Sequence, residues 1–301
     1  MARAKQPKQI HQLTVVQFEA MFPDEDHCRA YLVARRWPDG AICPRCGNPK
    51  VYTLASGRHW QCEQCAPDGY RFSHITGTIF ENTNKPLRDW FRVIHLILVS
   101  KKGISSRQLW RYMGFGSLKT AWYMAHRVRV ALMEDIGQLG GIVEADETFV
   151  GGKAKNRHRN DRDGMPGPTA SGKIPVAGAV TRKGNVVARV VDNVKRATLE
   201  AFLRETVSHK VSLLITDSWI GYSKIGKEYP HAVIDHTGGE YVVGAIHTNT
   251  IEGFWSIIKR GMVGTFHKVS RKYLPLYVAE FQFRYNNRAN SDIFGTAIKG
   301  C

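Results

Sequence analysis

The chain has 301 residues, 43% of them hydrophobic, with 43 lysines and arginines against 26 aspartates and glutamates. The formal charge of +17 at pH 7 calls for a polyanionic partner, because basic side chains displace counterions from phosphates. The length allows two or three domains with cores of their own, and no apolar stretch could span a bilayer or serve as a signal peptide, so the expectation is a cytoplasmic protein with reduced thiols and no membrane partner.

Residues 1–35 read as a basic tail followed by a helix, with Phe18, Met21, Cys28, Tyr31 and Leu32 on its apolar side. Residues 36–80 carry Cys43-Pro-Arg-Cys46 and Cys62-Glu-Gln-Cys65, with short extended segments at Lys50–Leu54 and Tyr70–His74. Fifteen residues separate Cys46 from Cys62, the spacing of a ribbon whose four thiolates hold one structural Zn²⁺. A redox site would use one such pair, not two. Gly47 suits the tight turn after the first pair. The four cysteines fill the shell, so His59 and His74 are read as surface or packing residues, and Cys28 as packed in its helix. So small a ribbon takes its folding energy from the metal.

Residues 81–138 turn helical, with Trp90, Phe91, Ile94, Ile97 and Leu98 on one face. A short helix over Ile104–Met113, a turn at Gly114–Gly116 and a second helix capped by Ser117 then follow. In the second helix, Leu118, Trp122, Ala125 and Val128 or Arg129 are expected inside. Lys119, Thr120, Tyr123, His126 and Arg127 are expected outside. This is a helix-turn-helix pattern, with Lys119 and Arg127 as DNA contacts. A plain helical hairpin with a solvated basic face is the alternative.

Residues 139–301 alternate between strand-like and helix-like runs, as in a mixed α/β core. A basic stretch over Lys153–Lys173 breaks the pattern. It is either a disordered crossover or a loop that tracks DNA through Lys153, Lys155, Arg157, His158 and Arg159.

Three carboxylates stand out. Asp146 lies inside the β-rich run Ile142–Val150, where aspartate is disfavoured unless something needs it. Glu144 shares its face by the two-residue strand period, and Glu147 points the other way. Asp217 ends the run Val211–Asp217; it either caps the helix-like Ser218–Tyr222 or is left available because Ser218 does so. Glu252 closes Asn249-Thr-Ile-Glu252, a capping-box pattern. The same helix carries an apolar stripe of Ile251, Phe254, Trp255 and Ile258, beside a polar stripe of Glu252, Ser256 and Lys259. Two acids on strands and one on a helix can hold a pair of Mg²⁺ ions, or Mn²⁺, at a phosphodiester. With the basic charge, that points to an enzyme acting on DNA.

From about Phe18 to Phe294 the chain resembles DDE insertion-sequence transposases that place a zinc ribbon before the catalytic domain and are related to Merlin elements. The residues that carry the likeness are the two cysteine pairs, Glu144–Lys153, Thr216–Tyr222, His247–Arg260, Gly264–Ser270 and Glu280–Arg288. The resemblance implies an RNase H-like α/β fold over 139–301, a mixed five-stranded sheet with flanking helices. Asp146 would lie on the first, central strand, Asp217 at the end of the fourth, and Glu252 on the helix after the sheet. Ile174–Thr181 and Asn185–Val191 would be the second and third strands.

The resemblance also implies metal-dependent cleavage of the element's ends and strand transfer of the freed 3′-hydroxyl into target DNA. Asp146, Asp217 and Glu252 would be the catalytic metal ligands, with Asn249 or His247 supporting them. Lys259 and Arg260 would hold the DNA backbone, helped by His267 and Lys268. The helix-turn-helix would read the terminal inverted repeats of double-stranded DNA. A homodimer or larger oligomer would join two ends, in the cytoplasm of a bacterium at its nucleoid. A DNA-binding regulator derived from an inactive transposase is the alternative; a nuclease that cuts without joining is another.

Overall fold

The computed structural model describes residues 14–65, 67–151, 172–217, 222, 224–234 and 247–301. The basic loop with Lys153, Lys155, Arg157, His158 and Arg159 lies outside these residues, as do 218–221 after Asp217. The chain divides into two compact units. One comprises Met1–Lys101, Ser106–Leu132 and Ala289–Cys301; the other comprises Lys102–Ser105 and Met133–Arg288.

In the first unit, Thr14 caps helix α1 (Val15–Met21) through a capping box with Gln17, and Asp24 caps α2 (Glu25–Arg36). Phe18, Cys28 and Leu32 are buried as their spacing predicts, whereas Met21 is 41% exposed. Burial pushes the Cys28 thiol up to about 12, so it stays protonated as a packing group. A small antiparallel sheet follows, in the order β1 (Tyr52–Thr53), β2 (His59–Cys62), β3 (Tyr70–Ser73). Its core is Trp37, Phe72, Cys43, Cys62 and Cys65, with Trp60, Tyr70 and Val51 packed against them.

Helix α3 (Leu87–Val99) then packs with α4 (Ser106–Met113) and α5 (Leu118–Ala131). Gly114 turns the chain between α4 and α5 at φ +63°, and Ser117 accepts the amide of Lys119 as the cap. The buried stripe of α5 differs from expectation. Ala121, Met124, Ala125 and Val128 face inward, while Leu118 and Trp122 are 40% and 36% exposed. His126 and Arg129 are also buried. The inward face thus mixes small residues at Ala121 and Ala125 with the long side chains of Met124 and Arg129.

A C-terminal helix, Ile293–Lys299, completes this unit. Its Phe294 joins Phe18, Phe22, Tyr31 and Phe91 in a cluster of rings with centroids 5.0–6.0 Å apart. By its contacts this helix falls in the first unit, apart from residues 133–288. A seven-residue helix is marginal alone and forms where its apolar face completes a core.

The second unit is a five-stranded mixed sheet in the order β6-β5-β4-β7-β8. The strands are β4 (Ile142–Val150), β5 (Ile174–Thr181), β6 (Val186–Val190), β7 (Leu213–Asp217) and β8 (His231–Ile234). β4 pairs antiparallel with β5 and parallel with β7, so it is buried on both sides at the centre. Helix α6 (Arg196–Thr206) covers one face through Leu199, Phe202 and Leu203. Helices α7 (Asn249–Gly261) and α8 (Leu274–Asn286) cover the other through Ile251, Phe254, Trp255, Ile258, Val278 and Phe281. The fold is therefore the α/β architecture with a five-stranded mixed sheet and flanking helices that the chain's likeness implied.

The edge strand β6 is sealed by side chains rather than by another strand. Gln282 and Asn286, one turn apart on α8, accept the amides of Ala188 and Val186, both at 2.8 Å. Asn286 also donates to the Val186 carbonyl at 3.1 Å, and Arg288 to the Gly184 carbonyl at 3.0 Å. The amide side chains copy the ladder a sixth strand would supply, which closes the edge to pairing with other chains. Gln282→Ala would leave the buried Ala188 amide without a partner. The expected cost is about 1–3 kcal/mol, seen as a lower urea midpoint.

Candidate active site and metal centre

The four cysteines converge in the first unit. Their sulfurs all lie within 4.8 Å of one another, with Cys43 Sγ to Cys65 Sγ at 3.8 Å and Cys46 Sγ to Cys62 Sγ at 3.6 Å. A tetrahedron of thiolates about 2.3 Å from Zn²⁺ has edges of about 3.8 Å, so the cage fits that ion. Gly47 makes the expected knuckle, at φ +74°, and donates its amide to Cys43 at 2.9 Å. His59 is exposed, and burial lowers the His74 imidazole to about 4, which keeps it neutral. Among the described residues, neither belongs to the cluster.

The three acids come together on one face of the second unit's sheet. The parallel register pairs Val143 with Leu214 and Glu144 with Ile215. Continuing it by two residues sets Asp146 beside Asp217, side chains on the same face. Helix α7 crosses that face and brings Glu252 with it. The Asp146 carboxyl is pushed up to about 6, first by burial and then by the charge of Asp217, with Glu252 adding to the effect. The amide of Glu147 at 2.8 Å and the indole of Trp255 at 3.0 Å pull the other way. Asp146 is thus largely desolvated, with the charges of Asp217 and Glu252 opposing its own. Among the described residues only the cysteines bring three or more ligand atoms all within 4.8 Å, so at least one pair of these acids stands farther apart than that.

Trp255 reaches Asp146 because of a glycine. Gly178 is the cross-strand neighbour of Asp146 on β5, and a Cβ there would lie 2.5 Å from the Trp255 ring. The missing side chain lets the indole lie on the sheet and donate to the acid. Neither Gly178 nor the polar role of Trp255 was singled out from the sequence, where Trp255 reads only as part of an apolar stripe.

The competing acids have other duties. Glu144 is fully buried and accepts the amides of Thr250 at 2.8 Å and Ile251 at 3.1 Å, the Thr250 hydroxyl at 2.8 Å, and Arg182 Nε at 2.8 Å. Glu147 faces the opposite side and accepts the Tyr222 hydroxyl at 2.7 Å. Burial, with Asp146 and Asp217 nearby, pushes Glu147 up to about 7 against that hydrogen bond.

The capping box expected at Asn249–Glu252 does not form, and the helix begins one residue earlier than that pattern implies. Thr248 holds the cap position, its side chain bonds none of the helix amides, and its hydroxyl donates to Glu252 at 3.0 Å. Asn249 is exposed at the first helical position, and His247 Nδ1 lies 3.3 Å from Glu144. Glu252, Ser256 and Lys259 form the expected exposed stripe, beside exposed Arg260, whose Nε donates to the Ser256 carbonyl. His267 and Lys268 are exposed just beyond the π-helical turn Met262–Phe266 that continues α7.

In the first unit, Lys119 is exposed at the start of α5. Arg127 is half-buried instead, donating to the carbonyls of Glu81 at 3.1 Å and Thr78 at 3.4 Å and to the Tyr123 hydroxyl at 3.0 Å. Its guanidinium ties a loop to the helix, an internal duty the outward-facing spacing did not suggest.

Two outcomes follow. Cys62→Ser is expected to lose bound zinc, read by metal analysis, and to open the ribbon to proteolysis, because the metal holds so small a core. Gly178→Ala is expected to displace Trp255 and lower stability by about 1–3 kcal/mol in urea unfolding; an unchanged midpoint would show that the ring has room to spare.

Residues 138–286 match the ISXO2-like transposase domain, and residues 23–67 match the transposase zinc-ribbon domain. An uncharacterized protein in transposable element ISH50 of Halobacterium salinarum is 29% identical over 275 residues, 87% of this chain and 91% of that protein. No solved structure matches the chain. With a four-cysteine ribbon ahead of a five-stranded sheet that gathers three acids on one face, the chain belongs to the insertion-sequence transposases that join a zinc ribbon to an ISXO2-like domain.

Proposed function

We propose that the chain cuts double-stranded DNA at the ends of its own element and joins the freed 3′-hydroxyls to target DNA. The observation that carries the reading is the convergence of Asp146 and Asp217 on adjacent strands, with the charge of Glu252 felt at Asp146. Asp146, Asp217 and Glu252 would hold two Mg²⁺ or Mn²⁺ ions. Such ions, when bound, activate the attacking oxygen and stabilise the leaving oxygen of a phosphodiester.

The chain's own residues do the rest. Trp255 and the Glu147 amide each donate to one oxygen of Asp146 and so fix how the carboxylate is turned. Lys259 lies two turns beyond Glu252 on the same exposed stripe, placed to hold the DNA backbone, with Arg260 beside it. Water attacks first and releases a 3′-hydroxyl; that hydroxyl then attacks a target phosphodiester. Each step exchanges one phosphorus–oxygen bond for another, so no covalent link to the protein is required. The helix-turn-helix, with Lys119 on its exposed side, would recognise the terminal repeats, and the zinc ribbon would assist. Bringing two ends together calls for at least a dimer.

The test is a strand-transfer assay. Labelled duplexes carrying the repeats that flank the gene are incubated with the protein, Mg²⁺ and a target plasmid, beside Asp217→Asn. Metal-dependent joined product that the variant abolishes is the expected result. Cleavage without joining would replace the reading with a nuclease; binding alone would make the chain a regulator or an inactive copy.

A further inference from the structure

We infer that Glu144 is the positioning residue for Glu252. Its buried carboxylate sets where α7 begins on the central strand, and so where the third acid stands. The inference rests on the reading of Asp146, Asp217 and Glu252 as metal ligands.

The first turn of a helix leaves backbone amides that need partners. In α7 the local cap residue does not supply them, because the Thr248 side chain bonds no helix amide and its hydroxyl is turned to Glu252. Glu144 supplies them from another element, 106 residues away in sequence. One oxygen takes the amides of Thr250 and Ile251; the other takes the Thr250 hydroxyl and Arg182. Its negative charge also sits at the positive end of the helix dipole. Arg182 reaches on to the His247 carbonyl at 2.9 Å, so the chain entering α7 is tied to the same group.

The geometry turns this cap into a ruler. Glu144 and Asp146 are alternate residues on one face of β4, and Thr250 and Glu252 are two residues apart on α7. The strand therefore holds the helix by the residue next but one to each acid. A slip of α7 by one residue would move it about 1.5 Å and rotate Glu252 by about 100°, out of the site. Glu144 is fully buried and paired with Arg182 as well as with the helix, which fits a positioning role.

The test titrates Mn²⁺ into the full-length, zinc-loaded chain without DNA, with electron paramagnetic resonance counting the free ion. The parent is compared with Asp217→Asn, Glu144→Gln and Thr250→Val. Glu144→Gln is expected to weaken Mn²⁺ binding by about 10- to 100-fold, the usual effect of removing a group that orients a metal ligand. Thr250→Val, which loses only the hydroxyl contact, is expected to weaken it less. The same shift should appear as a higher Mg²⁺ requirement for DNA cleavage, with the rate approaching that of the parent at saturation. Folded variants that bind Mn²⁺ like the parent would overturn the inference. If Glu144→Gln does not fold, an unchanged affinity in Thr250→Val overturns it. A parent that shows no Mn²⁺ site sensitive to Asp217→Asn would overturn the metal-site reading itself, and the inference with it.

Discussion

The carboxylate of Glu144 lies fully buried between strand β4 and the first turn of α7, where two amides, a hydroxyl and a guanidinium donate to it. An isolated charge at that depth would cost several kcal/mol, and only a complete set of partners offsets it. The set is complete only when β4, β5 and α7 are in place together, since Arg182 follows directly on β5 and Thr250 lies on the helix. Sheet, helix and site thus share one condition. The apolar stripe of α7 brings the helix onto the sheet, but hydrophobic contact is non-directional and would tolerate other registers. The directional bonds to Glu144 select one.

A second constraint works against stability. Asp146 is desolvated, and its charge is opposed by Asp217 and Glu252. A fold selected for stability alone would not gather like charges on one face of a buried strand. Here the arrangement is held by Trp255 and the Glu147 amide, which bond Asp146, and by the absence of a side chain at Gly178. Local electrostatic cost maintained by well-packed surroundings is what makes these acids a candidate functional site. The Glu147–Tyr222 pair on the opposite face is a separate matter, a buried carboxyl satisfied by a buried hydroxyl.

The two units solve the problem of a core by different means. The first relies on a cysteine cage and on rings drawn from α1, α2, α3 and the C-terminal helix, so the end of the chain finishes what its beginning starts. The second relies on a central sheet covered on both faces, with amide side chains of α8 closing the exposed edge. The polar residues at the end of α8 divide between that edge, which Asn286 and Arg288 bond, and Glu134, to which Asn286 and Asn287 donate.

Local features were legible in the residues themselves. The two cysteine pairs announce the ribbon because metal geometry demands fixed spacing, and short apolar runs announce the buried strands β4 and β7. Ser117 as a cap, Gly47 as a knuckle and the two stripes of α7 follow from single-element geometry in the same way. What spacing could not carry is any contact between distant segments. Glu144 and Asp146 are indistinguishable on a strand; only the arrival of α7 makes one a cap and the other a candidate ligand. The inward face of α5 is rotated from the one its spacing suggests, burying Ala121, Met124 and even Arg129 while Leu118 and Trp122 stay exposed. Arg127 found backbone carbonyls that no periodicity could foretell, and Phe294 left its neighbours in sequence for a core begun nearly 280 residues earlier. Periodicity reports which side of an element is apolar; which neighbour that side meets, and which polar group is thereby buried and must be satisfied, is decided only when the chain closes on itself.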